Sequence, residues 1–345
     1  MKVLVVNNMA PFVWGGAEEL AVNLEKSLKL AGHQAEVLRI PFQWEPVTKI
    51  PSQMMMVRAL ELLNVDRVIA LKFPTYLIRH PNKVFWLLHQ YRQAYDLYDA
   101  ESTNIPKDGF GDDLRKLIKN ADNESFNESK KVFSQSVVAQ KRLLKYNGIE
   151  SEVLIPPVND QELFEKSRVG DYIFIGGRIN SMKRQELFLH AMRHVKTECR
   201  LLIAGPPDTE ADGDKLRQLV EEYGLQDRVK LDLRFLPRET YAQYVRGAMA
   251  VAYAPFDEDS LGLVTMEGAL AGKALITASD SGGVVGLVKH QKTGWVAEPD
   301  PRALADVLAL AAEDKSRVRD YGAAARELWL GMGINWPNTV DALLQ

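Results

Sequence analysis

The densest group of residues that could carry out chemistry lies in the segment 255–267, PFDEDSLGLVTME. Asp259 and Glu267 stand eight positions apart, with Asp259 in a polar loop and Glu267 about two turns into the helix predicted to follow. Ser260 is placed to cap that helix, whose first backbone amides would then be free to bind an anion. Carboxylates beside such amides can each bind a pair of neighbouring hydroxyls. The segment therefore predicts a site for a ligand that carries both hydroxyls and negative charge.

Two cations follow the first predicted strand of the second half. Arg178 comes directly after Gly176-Gly177, and Lys183 follows five residues later. The planar fork of arginine and the point charge of lysine both suit phosphate, and glycines let backbone approach a ligand closely. The alternative is that both side chains are solvated loop charges. The position after a strand favours phosphate binding.

The first half contributes a glycine pair and a histidine. Gly15-Gly16 precedes a predicted helix, but the spacing is not G-x-G-x-x-G, so the dinucleotide fingerprint is absent. His89 ends the predicted strand 83–88. A lone histidine is often structural, whereas its place at the carboxyl end of a strand favours a position facing a ligand.

Metal and cysteine chemistry are weakly indicated. Asp257-x-Asp259 matches an Asp-x-Asp metal motif that could hold a divalent ion on a diphosphate. Because Arg178 and Lys183 already offer positive charge, we expect no metal and no cofactor. The single cysteine, Cys199, excludes an intrachain disulfide framework and a multi-cysteine zinc site, and we expect it to be buried.

Composition limits the partners and the location. A net charge of −3 gives no basic footprint for nucleic acid. The first apolar run, 3–6, is too short for a signal core, and no run reaches membrane length, so we expect a cytoplasmic protein. Five basic residues in 130–145 leave peripheral contact with the inner membrane face open, the alternative being a solvated helix face. The sequence does not indicate an oligomeric state.

Short apolar runs alternate with longer amphipathic stretches along the whole chain. Strands are predicted at 3–6, 35–40, 67–71, 83–88, 153–155, 172–175, 200–204, 229–233, 249–253 and 274–278. Helices are predicted at 18–30, 54–63, 132–146, 184–194, 215–223, 238–247, 261–271 and 303–312. This alternation predicts two α/β units in tandem, each a doubly wound parallel sheet that binds ligands at the carboxyl ends of its strands.

Several motifs together resemble the family-4 retaining glycosyltransferases (glycosyl transferases group 1). The stretch 255–283, PFDEDSLGLVTMEGALAGKALITASDSGG, is similar to that family's Pro-Ser-x-x-Glu-x-Phe-Gly run, with a second Glu eight residues on and then Gly-Gly. GGAEEL at 15–20, LLHQ at 87–90 and GGRINSMKRQELFLHAM at 176–192 resemble its glycine, histidine and Arg/Lys loops. The order and spacing of these motifs are specific.

The resemblance implies the GT-B architecture, in which two Rossmann-like domains face each other across a cleft. Residues 1–166 would form the acceptor-side domain and 167–328 the nucleotide-sugar-binding domain. Residues 329–345, which include Trp336, would form a C-terminal helix that crosses back to the first domain.

The resemblance also implies an activity. The chain would move a hexose-type sugar from a UDP- or GDP-linked donor to a saccharide, lipid-linked or small-molecule acceptor, with anomeric retention and without metal, in cell-surface polysaccharide or glycoconjugate synthesis. The implied catalytic residues are His89, Arg178, Lys183 and Asp259. The implied donor-binding residues are Gly15, Gly16, Gly177, Gly205, Arg234, Leu236, Ser260, Leu261, Gly262, Leu263, Val264 and Glu267.

The chain departs from the family pattern at several positions. Asp259 replaces a Glu, Leu261 a Phe, Gly286 a Glu, and Arg234 stands near a Gly of the base pocket. Two other functions therefore stay open. A nucleotide-sugar epimerase of the same fold would release or isomerise the sugar without acceptor. A catalytically silent nucleotide-sugar-binding protein would bind the donor without turnover.

Overall fold

A computed structural model describes residues 1–345 and divides the chain into two compact units. The N-terminal unit comprises Met1–Pro157 and Ile334–Gln345, and the C-terminal unit comprises Val158–Gly333. Each unit is built on a six-stranded sheet whose paired strands are all parallel. The predicted fold class, two doubly wound α/β units, is confirmed.

The N-terminal unit carries six strands and five of its helices before residue 157. The strands are β1 (Lys2–Met9), β2 (Gln34–Pro41), β3 (Arg67–Ala70), β4 (Lys83–Leu87), β5 (Lys131–Ser134) and β6 (Glu152–Val153). The helices are α1 (Gly16–Leu30), α2 (Ile50–Arg58), α3 (Asp96–Asp99), α4 (Gly109–Asn127) and α5 (Val137–Asn147). The sheet order is β2-β1-β3-β4-β5-β6.

The C-terminal unit repeats this plan. Its strands are β7 (Ile173–Gly176), β8 (Leu201–Ala204), β9 (Val229–Asp232), β10 (Ala250–Ala252), β11 (Ala274–Ala278) and β12 (Gly294–Ala297). Its helices are α6 (Gln185–Met192), α7 (Glu210–Glu222), α8 (Arg238–Gly247), α9 (Leu263–Leu270), α10 (Pro301–Glu313) and α11 (Lys315–Gly331). The sheet order is β12-β11-β10-β7-β8-β9.

Alternating side chains of the strands bury apolar surface on both faces of each sheet, as period-2 strand geometry requires. In β1, Val5 packs in one cluster with Leu24 of α1, whereas Val6 packs in another with Val57 of α2. Helices therefore cover both faces, and the polar loops at the strand ends are left to bind ligands.

The last helix, α12 (Trp336–Leu344), packs on the N-terminal unit. Trp336 meets Trp86 of β4 edge to face, with the ring centroids 6.1 Å apart. The Arg67 guanidinium donates to the carbonyl oxygen of Leu343 at 2.9 Å. These contacts give the chain end a fixed place beside α1, so the N-terminal unit is formed from both ends of the chain.

The division between units differs from the predicted boundary after residue 166, since it falls after Pro157. The segment that follows Pro157 packs on α8 of the C-terminal unit. Arg238 donates to the carbonyl oxygen of Asn159 at 3.1 Å, and its guanidinium lies 4.6 Å from the centroid of the Phe164 ring. These local contacts, which hydrophobic periodicity does not reveal, place the segment with the second unit.

The predicted helix 132–146 is wrong at its start, because Lys131–Ser134 forms strand β5 beside β4. Helix α5 begins only at Val137, capped by the Ser136 hydroxyl, which accepts from the Ala139 amide. Residues Lys131–Ser134 form a strand rather than a helix because their short apolar run is buried in the sheet beside β4. Helix α4 was not predicted, although Leu114, Ile118 and Phe126 lie on its buried face at helical spacing, together with the polar residues Asp122 and Ser125.

The predicted helix 54–63 instead spans Ile50–Arg58, and Asn64 adopts a left-handed backbone with φ of 63°. The helix ends before the short link into β3. No helix of the chain combines the length and apolar character needed to cross a membrane.

Candidate active site

Two glycine loops meet at the carboxyl ends of β7 and β8. Gly177 and Gly205 have φ of 120° and 143°, values that side chains rarely allow. A Cβ on Gly205 would lie 2.1 Å from the carbonyl oxygen of Gly177. The two predicted donor-binding glycines therefore let these loops approach each other directly.

Lys183 lies in a compact polar cluster beside the end of β10. Its ammonium donates to the Tyr253 hydroxyl at 2.7 Å and to the Glu258 carboxylate. Tyr253 also donates to Glu258 at 2.8 Å. Burial acts to raise the pKa of Glu258, but Lys183 and these hydrogen bonds outweigh it and lower that pKa. Lys183 and Glu258 thus form an ion pair at neutral pH, a partnership that the sequence analysis missed.

Arg178 also follows β7, but its guanidinium lies at the surface. Its guanidinium contacts the Asp208 carboxylate at 3.1 Å, and about half of the side chain, 47%, is exposed. Asn180 donates to the other oxygen of Asp208 at 2.9 Å. Arg178 is also close enough to act electrostatically on Tyr253. Arg178 and Lys183, the two predicted phosphate-binding cations, therefore both lie near Tyr253 at the carboxyl end of the sheet.

The Arg184 side chain, which was not predicted to belong to the site, holds the loop after β10 in place. Arg184 donates to the carbonyl oxygens of Ala254 and Pro255 at 2.9 and 2.8 Å. The same guanidinium makes two hydrogen bonds to Asp280, at 2.8 and 2.6 Å. The amide of Asp257 then donates to the backbone carbonyl of Asp280 at 3.0 Å. The loops after β10 and β11 are thereby tied together.

The Gly282-Gly283 pair allows these two loops to pack. A Cβ on Gly282 would lie 2.4 Å from the carbonyl oxygen of Glu258, and one on Gly283 would lie 2.5 Å from that of Ser260. Any side chain there would push the loop 257–260 away. The glycine pair thus shapes the acidic loop by packing against its backbone.

The predicted start of the helix after this loop is wrong. Helix α9 begins at Leu263, and its N-cap is Gly262, whose φ is 77°. The Ser260 hydroxyl accepts from the Gly262 amide at 3.2 Å, so it caps no helix and that amide is not free. The amides of Leu263 and Val264 occupy the first helical positions, which have no carbonyl partner four residues back. The predicted anion site would therefore consist of two amides rather than three.

Leu261 and Asp259 are both buried within this loop, 7% exposed each. A Cβ on Gly286 would lie 2.9 Å from a methyl group of Leu261. A side chain at position 286 would therefore crowd Leu261, and in this respect the two departures from the family pattern fit each other.

Glu267 is buried in the second turn of α9. One of its carboxylate oxygens, Oε1, accepts from Arg238 at 2.6 Å, while Oε2 has no hydrogen-bond partner in the chain. Burial raises the pKa of Glu267, and the neighbouring Arg238 guanidinium opposes this rise without cancelling it. Arg238, which contacts Glu267, was not predicted to belong to the site, because a single Arg after a Pro has no distinguishing pattern.

Two predicted donor-binding residues, Arg234 and Leu236, lie after β9. Arg234 is exposed and contacts Asp232 at 2.7 Å, and Tyr244 donates to the same carboxylate at 2.8 Å. Leu236 is buried.

Cys199 is buried as expected. No group of three or more His, Cys, Asp or Glu side chains is arranged to hold a metal ion.

In the N-terminal unit, the glycine pair marks the start of α1. Gly15 is the N-cap, the helix begins at Gly16, and the Gly15 amide donates to the Glu18 carboxylate at 3.0 Å. A carboxylate of the chain thus already binds an amide at this helix start.

His89 follows β4, and its Nδ1 lies 2.6 Å from the carbonyl oxygen of Gln90. Because a carbonyl only accepts, Nδ1 carries the proton and Nε2 of the neutral ring is an acceptor. Burial, together with the positive charge of Lys72, lowers the pKa of His89 to about 4. The ring is therefore neutral at physiological pH.

A buried polar network lies behind the histidine loop. Tyr95 donates to Asp122 at 2.7 Å, and Asn147 donates to the Tyr95 hydroxyl at 3.2 Å. Gln90 donates in turn to the Asn147 side chain at 2.9 Å. Burial raises the pKa of Asp122 to about 7, although the hydrogen bond from Tyr95 and the nearby Tyr76 hydroxyl oppose this rise. The carboxyl group is therefore largely protonated below neutral pH.

This raised pKa predicts how Asp122→Asn changes the pH dependence of stability. An unfolded Asp titrates near 3.9, so Asp122 favours folding at low pH, and that contribution is lost as pH rises from about 4 to about 7. Asp122→Asn removes this loss. We expect the unfolding free energy of the variant, relative to wild type, to rise by up to about 1.4 kcal/mol per pH unit in this window.

Urea unfolding of both proteins at several pH values measures this difference. Asp113→Asn, at an exposed position of the same helix, is the matched control and should show no such trend. A difference between Asp122→Asn and wild type that stays constant from pH 4.5 to 7.5 would show that Asp122 titrates normally.

Comparison with known proteins agrees with this architecture. Residues 159–328 match the family described as Glycosyl transferases group 1. A D-inositol 3-phosphate glycosyltransferase of Xylanimonas cellulosilytica is 29% identical over 208 residues, 57% of this chain and 48% of the relative. A GDP-mannose-dependent alpha-(1-6)-phosphatidylinositol monomannoside mannosyltransferase of Mycobacterium tuberculosis is 28% identical over 207 residues, 55% of this chain and 51% of the relative.

The chain thus spans about half the length of these curated relatives. Among solved structures, Anabaena Alr3699/HepE in complex with UDP and glucose aligns with a TM-score of 0.73 and 17% identity, over 99% of this chain and 98% of that one. This likeness shows the fold. The resemblance to glycosyl transferases group 1 is confirmed over residues 159–328, which make up nearly all of the C-terminal unit.

Proposed function

We propose that the chain transfers a sugar from a nucleoside-diphosphate sugar to an acceptor. The observation that carries this proposal is the Lys183–Tyr253–Glu258 cluster, which lies in the same loop region as the start of α9. The Lys183 ammonium and the first amides of α9 thus lie together at the carboxyl ends of parallel strands, where a diphosphate would bind. A UDP-bound neighbour and a GDP-mannose-dependent relative support a nucleotide-sugar donor.

In the proposed reaction, the cations stabilise the leaving group. Negative charge grows on the nucleoside diphosphate as the glycosidic bond breaks, so groups that contact the diphosphate stabilise the transition state more than the bound donor. Lys183 would exchange part of its contact with Glu258 for a phosphate oxygen, while Tyr253 keeps Glu258 hydrogen-bonded. Arg178 and the amides of Leu263 and Val264 would bind the remaining oxygens.

The finer features of the proposal rest on the motif resemblance. We propose transfer of a hexose from UDP or GDP with retention, and with no metal or other cofactor, because the leaving phosphate can accept the proton of the acceptor hydroxyl. The acceptor would be a saccharide, a lipid-linked saccharide or a small molecule. The pathway would be cell-surface polysaccharide or glycoconjugate synthesis.

Thermal unfolding with UDP, GDP, ADP and dTDP tests the proposal. A ligand at about 100 times its Kd stabilises the folded state by about 2.7 kcal/mol through mass action, so the donor nucleotide should raise Tm clearly above the others. The matching nucleotide sugar should then release its nucleotide faster when an acceptor is present. Sugar release that is independent of acceptor, or binding without turnover, would contradict transfer.

Asp259→Glu tests the sugar-binding end of the site. The longer side chain restores the acid that the family carries at this position, so we expect transfer to be kept or raised, whereas Asp259→Asn should lose activity. Overpacking of a buried position costs about 1–3 kcal/mol, so Tm is measured alongside the rate. Complete loss of transfer in Asp259→Glu at unchanged Tm would mean that the shorter acid is required for this donor.

A further inference from the structure

We propose that Arg238 is a positioning residue for Glu267, holding this buried carboxylate so that its free oxygen selects donors with an intact ribose. This inference rests on the proposed function and on the role that the motif resemblance implies for Glu267, which is to bind the ribose hydroxyls of the donor. Arg238 lies at the start of α8, outside every motif that carries the family resemblance.

The contact between the two side chains is specific. Nη1 of Arg238 lies 2.6 Å from Oε1 of Glu267, whose side chain is only 2% exposed. Oε2 is buried and makes no hydrogen bond of good geometry within the chain, although the neighbouring Tyr241 hydroxyl also acts to lower the pKa of this carboxyl group. A buried carboxylate oxygen without a donor is costly, and a ligand hydroxyl would satisfy it. The pair therefore presents one prepared acceptor to a ligand.

Arg238 is itself held in place, so it can impose an orientation on Glu267. Its Nη2 donates to the carbonyl oxygen of Asn159 at 3.1 Å, and Nε lies 3.6 Å from the Asp160 carboxylate. The guanidinium lies 4.6 Å from the centroid of the Phe164 ring and 5.8 Å from that of Tyr241. Contacts on several sides leave the guanidinium little freedom to turn away from Glu267.

The electrostatics agree with this geometry. Burial raises the pKa of Glu267, and the charge and hydrogen bond of Arg238 are the main influences that lower it. Without the guanidinium, the carboxyl group would take up a proton more readily. A protonated Glu267 accepts hydrogen bonds poorly, so binding of the ribose would become sensitive to pH.

The experiment compares the dissociation constants of a ribonucleoside diphosphate and its 2′-deoxy and 3′-deoxy analogues by titration calorimetry. Wild type should prefer the ribonucleotide over at least one analogue by about ten-fold or more, the scale of a hydrogen bond to a charged group. Arg238→Gln should reduce this preference to near one, and its affinity for the ribonucleotide should fall more steeply than that of wild type as the pH is lowered.

Three further variants complete the design. Arg238→Lys keeps the charge and should retain part of the preference. Glu267→Gln cannot ionise and should lose the preference without the pH dependence, which tests the inference even where Arg238→Gln does not fold. Arg200→Gln, at an exposed arginine paired with Asp171, is the matched control and should behave as wild type.

Each outcome bears on the inference. Equal loss of affinity for all three nucleotides in Arg238→Gln, with a wild-type pH profile, would overturn it and mark Arg238 as merely structural. Wild type that binds the three nucleotides equally would overturn it while leaving nucleotide binding intact. Wild type that binds none of them would overturn both this inference and the proposed function.

Discussion

Lys183→Ala should lower kcat/KM for sugar transfer by about 100-fold or more, the scale of removing one donor that stabilises transition-state charge. The ammonium is the only side-chain cation in the Lys183–Tyr253–Glu258 cluster, and its 25% exposure leaves it accessible to a ligand. Its removal also leaves the Glu258 carboxylate without its counter-charge, facing the position where the diphosphate would bind. Initial rates with saturating acceptor measure the effect, and Tm shows whether the fold is kept.

The double variant Lys183→Ala/Glu258→Gln separates these two contributions. If Lys183 acts directly on the diphosphate, neutralising Glu258 recovers only a small part of the rate. Recovery to near the wild-type rate would instead show that Lys183 serves only to neutralise Glu258. Lys215→Ala, at an exposed lysine paired with Glu186 in the same unit, is the control and should leave the rate unchanged.

His89→Ala should lower transfer by about 100-fold as well, on the same scale for one lost transition-state contact. The imidazole donates from Nδ1 to the Gln90 carbonyl, which leaves Nε2 as an acceptor, and the motif resemblance implies that this acceptor would meet the donor sugar. Because the pKa of His89 is lowered to about 4, the ring stays neutral and the rate should show no histidine ionisation between pH 5 and 8.

A pH–rate profile of wild type and His89→Ala, with kcat and KM separated, measures both parts of this prediction. His33→Ala, at a histidine in the same unit that lies by the chain's amino terminus, is the control. Near-normal transfer in His89→Ala would remove this residue from the mechanism. A wild-type rate that follows one ionisation near pH 6.5, and that still follows it in Asp122→Asn, would show that the ring is not neutral in the working enzyme.

Most of the fold could be predicted from hydrophobic periodicity, because strands with both faces buried produce compact apolar runs. Residues 238–247 and 274–278 have the predicted bounds as α8 and β11. The errors come from tertiary contacts. The run Val132-Phe133 becomes a strand because β4 lies beside it.

The residues expected to contact the ligand could be predicted from the sequence, whereas the residues that hold them in place could not. Lys183 and Glu267 stand out through glycine-rich or helix-start contexts that physical chemistry links to phosphate and hydroxyl binding. Glu258, Arg184 and Arg238 have no such context, since their roles come from partners at distant positions, such as the Arg184–Asp280 pair. The start of α9 was misplaced because Gly262 caps it through a left-handed backbone that a serine pattern does not reveal.

A crystal structure of the full chain with the nucleoside diphosphate that raises Tm most is the most direct test of the central claim. We expect diphosphate oxygens within about 3.2 Å of Lys183 Nζ and of the Leu263 amide, with a ribose hydroxyl at Oε2 of Glu267. A nucleotide bound elsewhere, with Lys183 still held by Glu258 and Oε2 of Glu267 unpaired, would contradict it.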